Sequence, residues 1–264
     1  MTVRHVEHVM GTVFSFAVRD PGPATGAAIG RIVERLHRID AVFSTYRPDS
    51  AVSRLGRGEI TPEQAGPEVQ WVLERCAELG AETGGHFTAR PGGRLDPSGY
   101  VKGWAVEEAS RALRAAGSVQ HCVSGGGDVQ TAGGPWRIGI ADPHRAGAVA
   151  RVVTGHDLAV ATSGTAERGP HILDPHTGRP VTSLASLTLV GPGLARVDAL
   201  ATAAFAMGAP AALPGSPPGA SRRWRSTRTA AGRRRPTGRG PARWPDGRSP
   251  AACLTDRQRP AARA

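Results

Sequence analysis

Between Val3 and Val18 the apolar positions alternate loosely with polar ones, and Val13, Phe14 and Phe16 fall inside that run. Alternation marks a strand with one buried face, so the stretch reads as a strand pair or one long strand. From Ala24 the period lengthens: Ile29, Ile32, Val33, Leu36, Ile39 and Phe43 recur at steps of three and four. That spacing lines one face of an amphipathic helix ending near Ser44. A second helix follows the start signal Thr61-Pro62, with Val69, Val72, Leu73, Cys76 and Leu79 on one face and Gly84-Gly85 as its stop. A third is expected from about Gly103 to Gly117.

Beyond Gly117 the apolar runs are short. Strands are expected at His121–Ser124, Trp136–Ile140, Val149–Val153, Leu158–Ala161 and Leu187–Val190, and Arg196–Met207 reads as a last helix. Helices come early, strands come late, and no regular βαβ alternation links them. The pattern implies an α+β fold.

One short stretch, PHILDPHTGRP from Pro170 to Pro180, fits this scheme poorly. Ile172 and Leu173 suit a strand, but Asp174-Pro175 and the Gly-Arg-Pro turn stop it at once. A strand so short, with ionisable groups at both ends, buries little, so its residues read as placed for a ligand.

Charge changes the picture at one end only. Residues 1–208 contain 20 basic and 20 acidic side chains, whereas residues 209–264 contain 13 arginines against Asp246 and Asp256. The whole excess of +11 therefore sits in the last 56 residues. A basic fold would point to nucleic acid or a membrane surface; a neutral fold with a basic appendage does not. That appendage is rich in Arg, Pro, Ala and Gly without apolar period, the composition of a disordered tail. It is also what a GC-rich gene gives when read out of frame. The expected organisation is an ordered domain over 1–208, cut short at its C-terminal end, and a tail over 209–264. Three cysteines without paired spacing argue against a disulfide framework and a zinc site. No apolar run reaches the roughly 18 residues that span a bilayer. The opening MTVRHVEHVMGT lacks the apolar core of a signal peptide, so a cytoplasmic chain is expected.

Four segments carry groups suited to phosphate or metal. In LDPSGYVKGWAVEEA, residues 95–109, a turn and then Lys-Gly open a helix, whose N–H groups and Ser98 can face an anion. An ordinary capped helix reads the same way. Lys102, however, is the only lysine in a chain that otherwise uses arginine throughout. SGGGDVQ, residues 124–130, suits either a tight hairpin or close backbone approach to a ligand, and lacks the spacing of the established phosphate loops. Asp128 is then a loop cap or a site residue. Asp198 and Thr202 stand four apart on the last helix, a carboxylate and a hydroxyl on one face, suited to Mg2+ or incidental. His171 is of the residue type whose reference pKa suits a general base, or is a satisfied buried histidine.

Taken in order, MGT (Met10–Thr12), FSTYRPDSAVSRL (Phe43–Leu55), GGHF (Gly84–Phe87), LDPSGYVKGWA, SGGGD, ATSG followed by HILDPHTGRP, and DALATAAF resemble the FAD:protein FMN transferases, the ApbE-type flavin transferases. The resemblance covers about residues 8–208. It implies an α+β fold with a mixed, largely antiparallel sheet and packed helices. It implies further a transferase that binds FAD and Mg2+, moves the FMN moiety to a Thr or Ser hydroxyl of an acceptor protein, and releases AMP. By the same resemblance, Met10, Tyr46, Arg47, Pro48, His86, Phe87 and Thr88 line the flavin site, and Ser98, Trp104 and Leu173 also contact FAD. The main-chain carbonyl of Val101, with Asp198 and Thr202, holds the metal, and His171 takes the proton of the incoming hydroxyl. Thr88 stands where the family usually has Asp, Val101 where it often has Ala or Gly, and the Arg-rich tail where it continues with further strands. Two other readings are an FAD-binding protein without transfer activity and a nucleic-acid binder acting through the tail.

Overall fold

The computed structural model describes residues 1–166, 169–208, 227–228 and 251–254. The chain opens with strands β1 (Val3–Val9) and β2 (Thr12–Val18), joined by the two-residue turn Met10-Gly11. Both turn residues have positive φ, +56° and +67°, the combination that suits a tight hairpin to strand twist. Helix α1 (Thr25–Phe43) follows with Ile29, Ile32, Leu36, Ile39 and Phe43 buried, as the three-four spacing requires. A short helix α2 (Ala51–Gly56), capped by Ser50, escapes the apolar pattern because only Val52 is buried.

The expected second helix is broken in two. Thr61 caps a four-residue helix α3 (Pro62–Ala65), and Gly66 at φ +94° separates it from α4 (Pro67–Glu82). Helix α5 (Ser98–Ala115) starts five residues before the expected Gly103. Strands β3 (His121–Gly125), β4 (Asp128–Ala132), β5 (Trp136–Ala141), β6 (Val149–Gly155), β7 (Ala159–Gly164) and β8 (Ser186–Gly191) follow, then helix α6 (Leu194–Ala206). The sequence pattern lacked β4, since DVQTA offers little apolar alternation although every residue of it is buried.

Of the stretch 209–264, expected to form a disordered tail, the described residues are two strands. Thr227–Arg228 (β9) pairs with β8, and Ala251–Leu254 (β10) pairs with β5. The rest of that expectation lies outside the described residues. The larger sheet runs β1-β2-β3-β4-β7-β8-β9 and the smaller β10-β5-β6, with every strand pairing antiparallel. The fold is α+β, as expected.

Side chains of the large sheet alternate between two cores, as the two-residue period of a strand dictates. Phe16, Val18, Val123, Ala159 and Ala161 join the helices in one apolar cluster. Their neighbours Ala17, Cys122, Val129 and Val160 face Trp136 and Ile138 of the small sheet. Cys76 is a buried free thiol, whereas Cys122 is disulfide-bonded, which the cysteine spacing did not announce. No helix among the described residues is long and apolar enough to cross a membrane.

Helix α6 is anchored at its start by other parts of the fold. Gly193, which precedes it, supplies no side-chain cap. Two side chains from neighbouring elements do so instead: Leu194 N donates to Gln130 Oε1 at 3.0 Å and Ala195 N to Glu107 Oε2 at 2.9 Å. Satisfying these free N–H groups from β4 and α5 ties the helix start to both elements.

Candidate active site

Three charged side chains meet where α5, α6 and the β3–β4 turn converge. The Lys102 ammonium lies 2.9 Å from Asp198 Oδ2 and also pairs with Asp128 Oδ2. Both carboxylates are buried, with side chains 6% and 1% exposed, so the ammonium is their charge partner in place of water. The other oxygen of Asp128 accepts from Thr162 N at 2.9 Å.

Local sequence explains how the three arrive there. Asp96 Oδ1 accepts from Ser98 N at 3.0 Å, a turn that opens α5 and sets Lys102 in its second turn. Gly126 and Gly127 form the β3–β4 turn at φ +56° and +89°, and Asp128 begins β4. A Cβ on Gly126 would lie 3.2 Å from Lys102 Cδ, so the lysine stem runs over a turn that only glycine leaves free. A Cβ on Gly103 would lie 2.8 Å from both Asp198 Cβ and the Leu194 carbonyl. The close approach of α5 to α6 therefore depends on glycine. SGGGD is thus a tight hairpin, and its Asp128 is also part of the charged junction.

Thr202 lies one helical turn beyond Asp198, and its Oγ1 is 3.4 Å from Ser163 Oγ. Among the described residues no three His, Cys, Asp or Glu side chains gather as a metal ligand set. The donors the structure does bring together are one buried carboxylate and, one turn along α6, two hydroxyls. That is a hard-oxygen set, the chemistry Mg2+ prefers with water or phosphate completing its shell. The residues fit the ion, with Lys102 occupying one oxygen of the carboxylate.

The stretch 170–180 is a small hairpin and not a strand. Leu173 bridges to Pro180, Asp174 N donates to Arg179 O at 2.9 Å, and Gly178 N returns to Asp174 O at 2.8 Å. The Asp174 carboxylate caps the turn, accepting from His176 N and Thr177 Oγ1, each at 2.9 Å. These bonds hold its carboxyl below the usual carboxylate range, the His176 N–H first among the causes. Leu173 faces Gly92, 3.5 Å from where a Cβ would stand. His176 meets His86 edge to face at 4.5 Å between ring centroids, which docks the hairpin on the GGHF turn. Burial pushes the His86 pKa down, and the neighbouring His176 pushes it further. His176 was not among the residues expected at the site; its only signal in the sequence is the second histidine of HILDPHTGRP.

His171 is exposed, with Nδ1 3.0 Å from Gly169 O. A carbonyl only accepts, so Nδ1 carries a proton, and in the neutral ring the lone pair is on Nε2. The structure places His171 on the surface and not among buried partners. Met10 occupies the left-handed region at φ +56°, which a non-glycine side chain adopts only when its surroundings hold it there.

A cavity of about 400 Å³ is lined by Tyr46, Pro48, Arg57, Arg94 and Leu95 among others. Tyr46 is 92% exposed, with Arg47 and Pro48 also on the surface. Arg94 Nη2 spans to Thr45 O at 3.1 Å, and Arg57 Nη2 donates to Pro48 O at 2.6 Å. A smaller cavity of about 250 Å³ between α1 and α5 contains none of the expected site residues. Of the expected set, Phe87 is buried, its N–H held by Thr83 Oγ1 at 3.0 Å, and Thr88 caps Arg90 N at 3.0 Å. Ser98 is exposed at the start of α5. Trp104 is 5% exposed and packs against Phe43 and Trp71 at 5.8 and 5.7 Å. The structure makes it a core side chain on the face of α5 turned to α1 and α4.

Comparison with known proteins bears on this arrangement. A family model described as the ApbE family matches residues 10–90 and 88–214. The chain is 36% identical over 128 residues to the FAD:protein FMN transferase of Rhodobacter capsulatus, covering 44% of this chain and 24% of that protein. It is 25% identical over 265 residues to the protein of the same description from Vibrio cholerae, covering 75% of this chain and 79% of that one. Against the Haemophilus influenzae protein, 29% identical over 171 residues, it spans about half of the relative's length, 49%. Among solved structures, the ApbE protein of Thermotoga maritima superposes with a TM-score of 0.70 at 23% identity, over 78% of this chain and 87% of that one. The flavin transferase ApbE of Vibrio cholerae does so with 0.68 at 23%, over 80% and 89%. These structural likenesses concern the fold.

Proposed function

The chain belongs to the ApbE family, and from that premise we propose that it transfers the FMN moiety of FAD to a Thr or Ser hydroxyl of an acceptor protein and releases AMP. The observation that carries the reading is the junction at the start of α5. There the ammonium of Lys102 meets the buried carboxylate of Asp198, and one turn along α6 the Thr202 hydroxyl meets that of Ser163. Phosphoryl-type transfer asks a protein for positioning and charge neutralisation more than for covalent chemistry. Asp198, Thr202 and the Val101 carbonyl would hold Mg2+, which when bound neutralises pyrophosphate charge.

The remaining roles belong to the chain itself. Tyr46 and Pro48, on the rim of the 400 Å³ cavity, receive the flavin ring together with Met10 and the His86–Thr88 turn. Leu173 is held against that side by the small hairpin. Trp104 supports the site from the core beneath. The acceptor hydroxyl oxygen attacks the phosphorus of the FMN half, the bond to the AMP oxygen breaks, and the hydroxyl proton passes to His171 Nε2. An exposed histidine suits this task, because the hydroxyl arrives on a macromolecule that cannot enter a closed pocket.

The test is direct. The purified chain, incubated with FAD, Mg2+ and an acceptor bearing a target Thr, is expected to give a fluorescent acceptor heavier by FMN, with AMP released in equal amount. FAD bound but never transferred would refute the enzyme and favour a flavin-binding protein. His171→Ala is expected to lower turnover more than FAD affinity; a fall in affinity alone would make His171 a binding residue.

A further inference from the structure

The mechanism leaves Lys102 and Asp128 without a task. We infer that Lys102 is a resident counter-ion that competes with a divalent cation for Asp198, and that Asp128 decides the contest by offering the ammonium a second carboxylate. The inference rests on the Mg2+ reading of the site and adds two positioning residues to it.

The geometry is specific. One ammonium, on the only lysine in the chain, contacts an oxygen of each of two buried carboxylates. The local charge is thus one positive against two negative. A buried carboxylate left without a partner is unfavourable, so Asp198 needs Lys102 whenever no cation is bound. A divalent cation on Asp198 repels the ammonium. Asp128 lets the ammonium remain in place, so the cation need not drive it into solvent. The lysine stem, lying over the Gly126 turn, keeps it within reach of Asp128 in either case. Asp128 is itself fixed by Thr162 N and does not need to move.

Three variants give opposite signs. Asp128→Asn leaves Asp198 as the only carboxylate for the ammonium, so cation affinity falls by about tenfold or more. Lys102→Met removes the competitor and leaves two carboxylates, so cation affinity rises by about tenfold. Combined with Asp128→Asn, Lys102→Met restores affinity to at least the wild-type level. The experiment uses the full chain without nucleotide, titrated with Mn2+ as a paramagnetic hard-oxygen probe and followed by the EPR signal of the free ion. Thermal melting with Mg2+ or EDTA runs in parallel: Lys102→Met is expected to melt lower in EDTA and to regain most of the loss with Mg2+.

Weaker or unchanged Mn2+ binding by Lys102→Met, with wild-type binding intact, overturns the inference and leaves the Mg2+ reading standing. No Mn2+ binding by the folded wild type overturns both. If Lys102→Met does not fold, the double variant decides against Asp128→Asn alone: tighter binding supports the competition, and equal binding refutes it.

Discussion

The charged junction and the 170–180 hairpin both carry residues assigned to the reaction, yet they are held in opposite ways. At the junction, Asp128 and Asp198 are buried between packed elements with the half-buried Lys102 between them, and glycines at 103 and 126 remove the atoms that would push them apart. At the hairpin, His171, His176 and Arg179 are exposed, and the turn is held by local hydrogen bonds around Asp174, a histidine contact and Ile172 packed against the core. The contrast separates two demands. The proposed cation site needs oxygens preorganised by packing, whereas the proposed acceptor surface needs its base in the open. Changes at the junction should therefore appear in stability and metal binding together, and changes at the hairpin in local titration and turnover with little cost in stability.

The largest effect that sharpens this comparison is steric. In Gly103→Ala the new methyl meets Asp198 Cβ and the Leu194 carbonyl, both at 2.8 Å, and the second is backbone that cannot rotate away. Overpacking of this kind costs about 1–3 kcal/mol, more than the roughly 1 kcal/mol an alanine gains in helix propensity. Gly99 on the same helix is the control. Its Cβ would meet Phe87 at 3.4 Å and Thr202 at 3.8 Å, which is ordinary contact. Denaturant melts are expected to show Gly103→Ala destabilised and weakened in Mn2+ binding, with Gly99→Ala neutral or slightly stabilised. Equal effects would show that the α5–α6 approach is not limiting.

Acid should act next, through a buried histidine that belongs to neither region. His121 is fully buried between Ser110 Oγ at 2.9 Å and Ser118 Oγ at 3.0 Å. Ser118 donates onward to Asp20 at 2.8 Å, so it accepts from Nδ1–H, and Nε2 accepts from Ser110. Burial, with Arg114 as the second cause, lowers the His121 pKa to about 4. The neutral ring is thus the folded form, while the unfolded ring protonates near 6.5. Stability from this group is full above about pH 6.5 and is lost as pH falls toward 4, by about 3 kcal/mol in all. Melting temperatures between pH 7 and pH 4 should follow this slope, and His121→Gln should flatten it. An unchanged slope would place the acid sensitivity elsewhere.

How much of this was legible depends on which force places each residue. The helix over Ile29–Phe43 was readable because burial alone spaces its residues, and the alternation around Phe14 and Phe16 marked strand without deciding between one long strand and the observed pair. β4 was not, because Asp128, Gln130 and Thr131 are buried by specific partners and carry no apolar period. The split of the second helix was signalled by Gly66-Pro67 but outweighed by the long apolar stripe of α4. In the site, Asp198 and Thr202 could be paired from their four-residue spacing. The meeting of Lys102 with Asp128 and Asp198 could not, since it spans 96 residues of sequence between Lys102 and Asp198. The lone lysine was a hint of importance without an address. Trp104 shows the reverse: the motif carried it into the set of expected site residues, while the opposite face of α5 carries its ring into the core.

The smallest expected effect lies on the hairpin side and reads the histidine pair itself. His86 has two causes for its lowered pKa, burial first and His176 second, while Asp174 pulls the other way. His176→Ala removes the second cause and leaves the first, so the His86 pKa should rise and still stay below that of a free histidine. Because the folded value is the depressed one, the pair costs stability only as pH falls below about 6.5, and the variant should lose less there than wild type. An edge-to-face ring pair contributes about 0.5–1.5 kcal/mol, and exposure of His176 favours the lower end. The stability change at neutral pH is therefore small, and an NMR titration of the His86 ring is the sharper measurement. No movement of that titration would mean that the hairpin does not rest on the GGHF turn in solution. The exposed half of the comparison would then lose that contact, and Leu173 and His171 would owe their placement to the Asp174 turn and to Ile172 packed against the core.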